Sequence, residues 1–305
     1  MRLLLLCVAG LLLPGFMAAA EPDGRETTLW TMLMVTPHED VADCHLLWLP
    51  GGITVLIDAG RLGDSPGAVL RQLKAQQITS LDLVIISHFH LDHYGALLEL
   101  VDAGIAIKRV AVNVPDAAAT ELEKPWGCDL ADVQRTLQAL RAHQIPYFTP
   151  KTGERLLETK TPQGTVVSLD VVCVYDGLHT PVGLTAVNDT SLVVRLSHGP
   201  TRALFTGDLD RPLGTYLATS NFDLRADLLK VPHHGAEGMP PDEFFERVGA
   251  RAVLVPAPKL LWESPRSMRI RNYFIEHHIP TYVSGLRGNV TVTLTTKGYS
   301  VETER

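Results

Sequence analysis

Four residues of metal-binding type, His88, His90, Asp92 and His93, fall within six positions of the segment VIISHFHLDHYGA (residues 84–96), directly after a run of β-branched residues. The spacing suits metal chemistry. His88 and His90 are two apart, so in an extended segment both imidazoles project to one side and can grip one cation. Asp92 and His93 follow the turn and can face a second cation from the other side. A carboxylate such as Asp208 can bridge two cations and lower their mutual repulsion. Two metals about 3.5–4 Å apart can hold a hydroxide at near-neutral pH and stabilise both attacking and leaving oxygens. Neutral imidazoles suit Zn²⁺, while the carboxylates extend the range to Mn²⁺ or Fe²⁺. Two Zn²⁺ ions are the expected cofactor.

The remaining acids and histidines of this kind sit at comparable places. Asp58 follows TVLI, Asp208 follows ALFTG, and the pair His233 and His234 follows LLKVP. In layered α/β folds, ligands bind beyond strand ends, where loops converge above a rigid scaffold. Every strand must leave the core somewhere polar, so one such ending is unremarkable. Four endings, all built from His or Asp, indicate a site. Lys230 lies one step before Pro232 and either neutralises a phosphate or caps a strand edge. His143, His198, His277 and His278 read as solvated, and Trp126 and Trp262 as loop residues bordering the cleft or covering core edges.

The elements that must position these residues follow from periodicity and breakers. A first strand is predicted over residues 29–36, then a hairpin joined by Pro50-Gly51-Gly52 and ending in Asp58-Ala59-Gly60. A helix follows with Ser65 as its cap and Pro66 at its first position. Next come the strand LDLVIIS, a short helix GALLELVDAG and the strand KRVAVNV. A helix then carries Leu130, Val133, Leu137 and Leu140 at helical spacing. The second half continues with strands VSLDVVCVY, TSLVVRL, TRALFTGDL, ADLLKVPHHG and RAVLVPAP, helices PDEFFERVG and SPRSMRIRNYFIEHH, and a closing hairpin over residues 289–304. The halves, divided near 150–185, read as duplicated layers of one α/β domain. The expected architecture is a four-layered αβ/βα sandwich, two mixed sheets flanked by helices.

At 305 residues, 46% hydrophobic and 20% charged, the chain has ample sequence for a core. Residues 1–20 combine Arg2, a broken apolar run and Ala18-Ala19-Ala20, the pattern of a cleaved export signal rather than a membrane span. The expected mature chain, residues 21–305, is periplasmic or secreted and has no membrane span. Loss of Arg2 moves the net charge from −7 to −8. That argues against general nucleic-acid binding. Cys44, Cys128 and Cys173 form no CxxC pair, and at most one bridge is available to them.

The run H-x-H-x-D-H, preceded by IDAG and followed by TGD, resembles the metallo-β-lactamase fold superfamily. WLPGGITVLIDAG, ISHFHLDHYGA, NDTSLVVRL, ALFTGDL and LLKVPHHG are similar to the metallo-hydrolase domain of bacterial DNA-uptake competence proteins (ComEC-type) and to related secreted phosphoesterases. The resemblance spans roughly residues 27–303. It implies that His88, His90, Asp92, His93, Asp208 and one of His233 and His234 bind metal, with Asp58 orienting the histidine loop from behind. Asp92, His233 and His234 are then the residues expected to serve catalysis, one of the two adjacent histidines as ligand and the other as acid.

Three departures qualify the resemblance. The family's GQGD reads ADCH, residues 42–45, with the acid replaced by His45. The family's late GHP reads ESP, with Ser264 in the histidine's place. LHTPVG around His179 resembles a segment that supplies a metal histidine in true lactamases and lactonases, so His179 is either an added ligand or a loop residue. Asn188 stands nearest that slot in the competence-type pattern. The expected function is an exported dinuclear metal hydrolase of a phosphoester or phosphodiester, acting on a small or envelope-linked substrate. The alternatives are hydrolysis of a cyclic amide or ester, and a non-catalytic metal-binding protein. Six intact ligand positions speak against the last.

Overall fold

A computed structural model describes residues 25–35, 40–61, 66–123 and 128–305. The leader expected at residues 1–20, the cap Ser65 and Trp126 lie outside these residues. Strands β1 (Thr28–Met32), β2 (Cys44–Leu49) and β3 (Ile53–Ala59) form an antiparallel meander. Helix α1 (Pro66–Ala75) and the short β4 (Ser80–Leu81) lead to β5 (Leu83–Ile86), which pairs parallel with β3. Helices α2 (Leu91–Tyr94) and α3 (Leu97–Asp102) follow. Next, β6 (Ala106–Ile107) pairs with β4, and β7 (Val110–Val112) extends the main sheet. Helices α4 (Ala117–Glu123) and α5 (Leu130–Ala142) precede β8 (Tyr147–Phe148).

The second sheet opens with four antiparallel strands, β9 (Arg155–Lys160), β10 (Val166–Cys173), β11 (Val193–His198) and β12 (Thr201–Phe205). Parallel strands β13 (Leu228–Lys230), β14 (Ala252–Val255) and β15 (Thr281–Val283) complete it. The crossovers between them are α6 (Arg211–Thr219), α7 (Asp242–Val248), α8 (Lys259–Glu263) and α9 (Met268–Glu276). After α10 (Ser284–Arg287) the chain returns to the first sheet as the hairpin β16 (Val290–Thr295) and β17 (Gly298–Thr303). The resulting orders are β17-β16-β1-β2-β3-β5-β7-β8 and β15-β14-β13-β12-β11-β10-β9.

Period-two alternation explains the layering. Val55, Ile57, Leu83 and Ile85 point between the sheets, where they meet Leu169, Val194, Leu196, Phe205 and Leu228. The intervening Leu56, Val84 and Ile86 face the helices, beside Leu73, Leu97 and Leu140. On the far side Leu204, Leu229 and Val253 pack with Leu213, Phe244 and Phe274. Strands buried on both faces need unbroken apolar runs, which is how they read in sequence.

The structure corrects the division into two sequence halves. The closing hairpin pairs with β1, Thr28 opposite Leu294, because Val290, Val292 and Leu294 bury their alternate faces against the first sheet's core. Strand β1 ends at Met32, four residues before its expected end. Strand β9 and helix α6 were not anticipated. The first is an edge strand that exposes Arg155, Glu158 and Lys160, and the second hides behind the breaker-like Arg211-Pro212 start. His198, expected in solvent, is fully buried and hydrogen-bonds Thr28 Oγ1 at 3.0 Å. Cys44, Cys128 and Cys173 are free and buried. Among the described residues no helix is long and apolar enough to cross a membrane.

Candidate metal centre

The apolar strands release their polar ends at one edge of the sandwich. Asp58 closes β3, Ser87 and His88 follow β5, and Asp92 and His93 lie in α2. Asp208 follows β12, and His233 and His234 follow β13. Asp58, His233 and His234 hold positive φ angles of 59°, 48° and 52°. Such backbone is sparsely populated for residues with a Cβ and costs about 1–3 kcal/mol each. It persists where the surroundings over-determine it, as around a built site. Gly235 continues the same turn at φ 72°, where a Cβ would come within 3.0 Å of the Trp262 ring.

His93 is fixed at both nitrogens. Its Nδ1 lies 2.8 Å from Asp58 Oδ2, a pure acceptor, so the proton sits on Nδ1 and the Nε2 lone pair looks outward. That Nε2 is buried, makes no hydrogen bond among the described residues, and faces Asp208 Oδ2 at 3.2 Å. His234 repeats the arrangement. Its Nδ1–H donates to Pro256 O at 2.9 Å, and Nε2 faces Asp92 Oδ2 at 3.1 Å and Asp208 Oδ2 at 3.2 Å. Two nitrogen lone pairs opposite two carboxylates demand positive charge between them, either protons or a cation. In the bare protein protons fill the gap. Burial works against charged His93, but Asp208, Asp58 and Asp92 raise its pKa well above the ordinary value. His234, also opposed by burial, is pushed up to about 10, chiefly by Asp208. Asp92, His93, Asp208 and His234 thus form a donor set within 4.8 Å that fits a divalent cation.

His88 and His90 stand beside this set. His88 Nε2 faces His90 Nδ1 at 3.0 Å, and the His88 and His93 ring centroids are 4.1 Å apart. Burial, then the neighbouring His93 and His90, push the His88 pKa well below its ordinary value, so it stays a neutral donor. Asp58 braces the whole loop, accepting from Ser87 N at 2.7 Å and Ser87 Oγ at 2.8 Å.

The acid read as lost at His45 is present as Asp43. The β2–β3 ladder skips Asp58 between the pairs Cys44–Ala59 and His45–Ile57, and Asp43, two residues before His45 and so on the same strand face, lies in the cluster with Asp58 and His93. His45 supports it from behind. Trp30 Nε1–H donates to His45 Nδ1 at 3.2 Å, so the ring's proton lies on Nε2 and reaches Asp43 Oδ1 at 3.2 Å. Lys230 also departs from expectation. It is the last residue of the interior strand β13 and is 1% exposed, so it neither caps an edge nor faces a phosphate. Its ammonium binds Gly207 O at 2.7 Å, Asp208 Oδ1 at 3.3 Å and, in a short ion pair, Asp43 Oδ2. Burial disfavours its charge, yet Asp43 and Asp208 raise its pKa above the ordinary value.

The tandem histidines separate. His234 joins the cluster, whereas His233 lines the cavity with Nδ1 3.3 Å from Asp210 Oδ1. Burial opposes its charge, but Asp210 and Asp208 leave its pKa raised. Asp210 Oδ2 accepts from Asn188 Nδ2 at 3.1 Å, so Asn188 touches the His233 partner rather than the metal-capable groups. His179 points to solvent, bonded to Asp176 at 2.7 Å, outside the cluster. Ser264 makes a turn, donating to Leu261 O at 2.8 Å. Trp262 is buried in the second-sheet core. A 610 Å³ cavity joins His90, Asp92, Asp208, His233 and His234 to Arg61, Glu123, Glu237 and Arg266.

The profile of the metallo-beta-lactamase superfamily matches residues 39–240. ComE operon protein 3 of Bacillus subtilis (strain 168) is 26% identical over 187 residues, 61% of this chain and 21% of that protein. The chain therefore spans about a fifth of that relative's length. Among solved structures, the metallo-beta-lactamase fold protein YhfI from Bacillus subtilis matches with TM-score 0.50 and 15% identity, over 84% of this chain and 96% of that one. CmlA, a diiron β-hydroxylase from Streptomyces venezuelae, matches with TM-score 0.54 and 15% identity, over 88% and 54%. At these identities the structural matches speak to the fold alone.

Proposed function

The chain belongs to the metallo-beta-lactamase superfamily, and from that premise we propose that it is an exported, dinuclear metal-dependent phosphoesterase acting on a small or envelope-linked substrate. Asp92, His93, Asp208 and His234 would hold one cation, and His88 and His90 a second. Zn²⁺ is the favoured ion, and Mn²⁺ or Fe²⁺ are accommodated by the same mixed donors. When bound, such a pair supplies Lewis-acid activation of water and neutralises charge on the phosphoryl oxygens.

The protein's own groups do the rest. Asp58 and the Pro256 carbonyl aim the His93 and His234 Nε2 atoms inward. Asp43 and Lys230 fix the far side of Asp208. The observation that carries the reading is His233, a histidine that faces the cavity without joining the cluster and is held by Asp210. A protonated imidazole there can give its proton to the leaving oxygen as the P–O bond breaks, while water adds to phosphorus. Arg61 and Arg266 on the same wall favour an anionic substrate, although Glu237, 2.7 Å from Arg266, already offsets part of that charge. The exposed position of His179 supports a phosphoester over a lactam or lactone, because the segment that would supply a lactamase-type ligand faces solvent.

The deciding experiment counts metals in the purified protein and assays bis-p-nitrophenyl phosphate beside nitrocefin, with Asp208→Ala as the control. About two metals per chain and phosphodiester turnover abolished by Asp208→Ala are expected. Metal-free protein, or turnover indifferent to Asp208→Ala, would sink the proposal. Turnover of nitrocefin alone would move the assignment to cyclic amides.

A further inference from the structure

We propose that Glu123 is a positioning residue for His90, selecting the imidazole tautomer that lets His88 and His90 hold a cation together. The inference rests on the metal reading above and adds a residue that no motif contains. His88 Nε2 and His90 Nδ1 face each other at 3.0 Å with their rings at 78°. Both nitrogens can offer lone pairs to one ion only if His88 is protonated on Nδ1 and His90 on Nε2.

The His88 half is provided. Its Nδ1 lies 3.1 Å from Ser87 Oγ, whose own proton is committed to Asp58 Oδ2 at 2.8 Å, leaving oxygen lone pairs free to accept. The His90 half falls to Glu123. His90 Nε2 is buried and makes no hydrogen bond among the described residues. The carboxylate oxygen Glu123 Oε2 stands 3.5 Å away, within ion-pair reach though long for a hydrogen bond. Glu123 is itself 6% exposed at the last residue of α4, and among the described residues His90 is the ion-pair partner the structure gives it. Accepting from His90 Nε2–H leaves Nδ1 as a lone pair directed at His88 Nε2. Without the carboxylate, His90 is free to move its proton to Nδ1 and donate it to His88, which closes the cation position. The same logic is realised at 2.8 Å between Asp58 and His93.

The test titrates Zn²⁺ into the metal-stripped full chain, wild type, Glu123→Ala and Glu123→Gln, against a competing chelator, and reads the His90 tautomer by long-range ¹H–¹⁵N NMR of the zinc-loaded protein. Glu123→Ala should weaken one of two Zn²⁺ positions about 10–100-fold and spare the other. Glu123→Gln, whose amide oxygen still accepts, should restore most of that affinity. His90 in the wild type should carry its proton on Nε2. Unchanged affinities in Glu123→Ala, equal loss at both positions, or a wild-type His90 protonated on Nδ1 would each overturn the proposal. If Glu123→Ala does not fold, the wild-type tautomer and the Glu123→Gln affinities decide it. Wild-type protein that binds Zn²⁺ at two positions but leaves phosphodiesters intact defeats only the phosphoesterase reading. Wild-type protein that binds none defeats both.

Discussion

Lys230 Nζ stands 3.3 Å from Asp208 Oδ1 while the same ammonium is paired with Asp43, so one buried cation sits between two buried carboxylates from different sheets. Asp43 precedes β2 in the first sheet and Asp208 follows β12 in the second. The lysine is thus a tie across the layer boundary, and it leaves Asp208 Oδ2 free to face His93 and His234.

Removing that tie should be costly. Lys230→Met keeps the stem's volume but strands two carboxylates away from water. A loss of about 3–5 kcal/mol is expected, the usual result of breaking a buried pair from one side. Urea unfolding of the metal-free protein measures it. The double variant Asp43→Asn with Lys230→Met should recover part of the loss, since one stranded charge is gone. Simple additivity of the two substitutions would contradict the coupling.

The adjacent histidines should part in function. His234→Ala removes a nitrogen that faces both Asp92 and Asp208, so one metal should be lost along with activity. His233→Ala should keep both metals and lower kcat about 10²–10⁴-fold, the usual contribution of a general acid. The loss should shrink for substrates whose leaving group needs no proton. Equal metal loss in both variants would remove His233 from the acid role.

Much of this centre was legible because it is local. The H-x-H-x-D-H spacing, and Asp58 and Asp208 at the ends of β3 and β12, depend only on strand period and adjacent turns. Asp43 was missed because it and His45, two residues apart, share a strand face, and only the packed sheets show which of them reaches Asp58 and His93. Asp210 and Glu123 carry no local signal. One caps the start of α6 and the other ends α4, and helix-end carboxylates are ordinary in solvent-exposed segments. Lys230 read as a phosphate-neutralising or edge-capping cation because only the packed sheets reveal that its strand is interior. The return of β16 to pair with β1 is likewise a long-range choice, invisible to periodicity.

Gly207 makes the Asp208 turn possible. At φ 50° it is left-handed, and a methyl group there would lie 2.4 Å from Ser191 Oγ and 2.9 Å from Ser87 Cβ. Neither serine can yield freely, since Ser191 Oγ accepts from Asp208 N and Ser87 is bound to Asp58. Gly207→Ala should therefore destabilise the fold by about 1–3 kcal/mol through overpacking and displace Asp208. Urea midpoints and Zn²⁺ affinity should fall together. An unchanged affinity would mean that the turn tolerates the methyl without moving Asp208.

Asp189 gives the protein a pH signature separate from its metal-capable groups. Burial first, and then Asp210, push its carboxyl up from 3.8 to about 7, against two backbone N–H groups, of Asp210 at 3.0 Å and Leu213 at 3.3 Å, that favour the anion. The folded state then keeps a proton that the unfolded chain releases near its ordinary value. Stability from this group is complete below about pH 4, declines as pH rises toward 7, and levels off above it. At its steepest the decline is on the order of 1.4 kcal/mol per pH unit. Asp189→Asn removes the titration, whatever constant offset it adds by placing an amide against those two donors. Urea unfolding of both proteins across that window isolates the group, because slopes from all other residues cancel in the difference. Parallel stability profiles would show that Asp189 ionises alike in both states, with the N–H groups at the start of α6 outweighing burial.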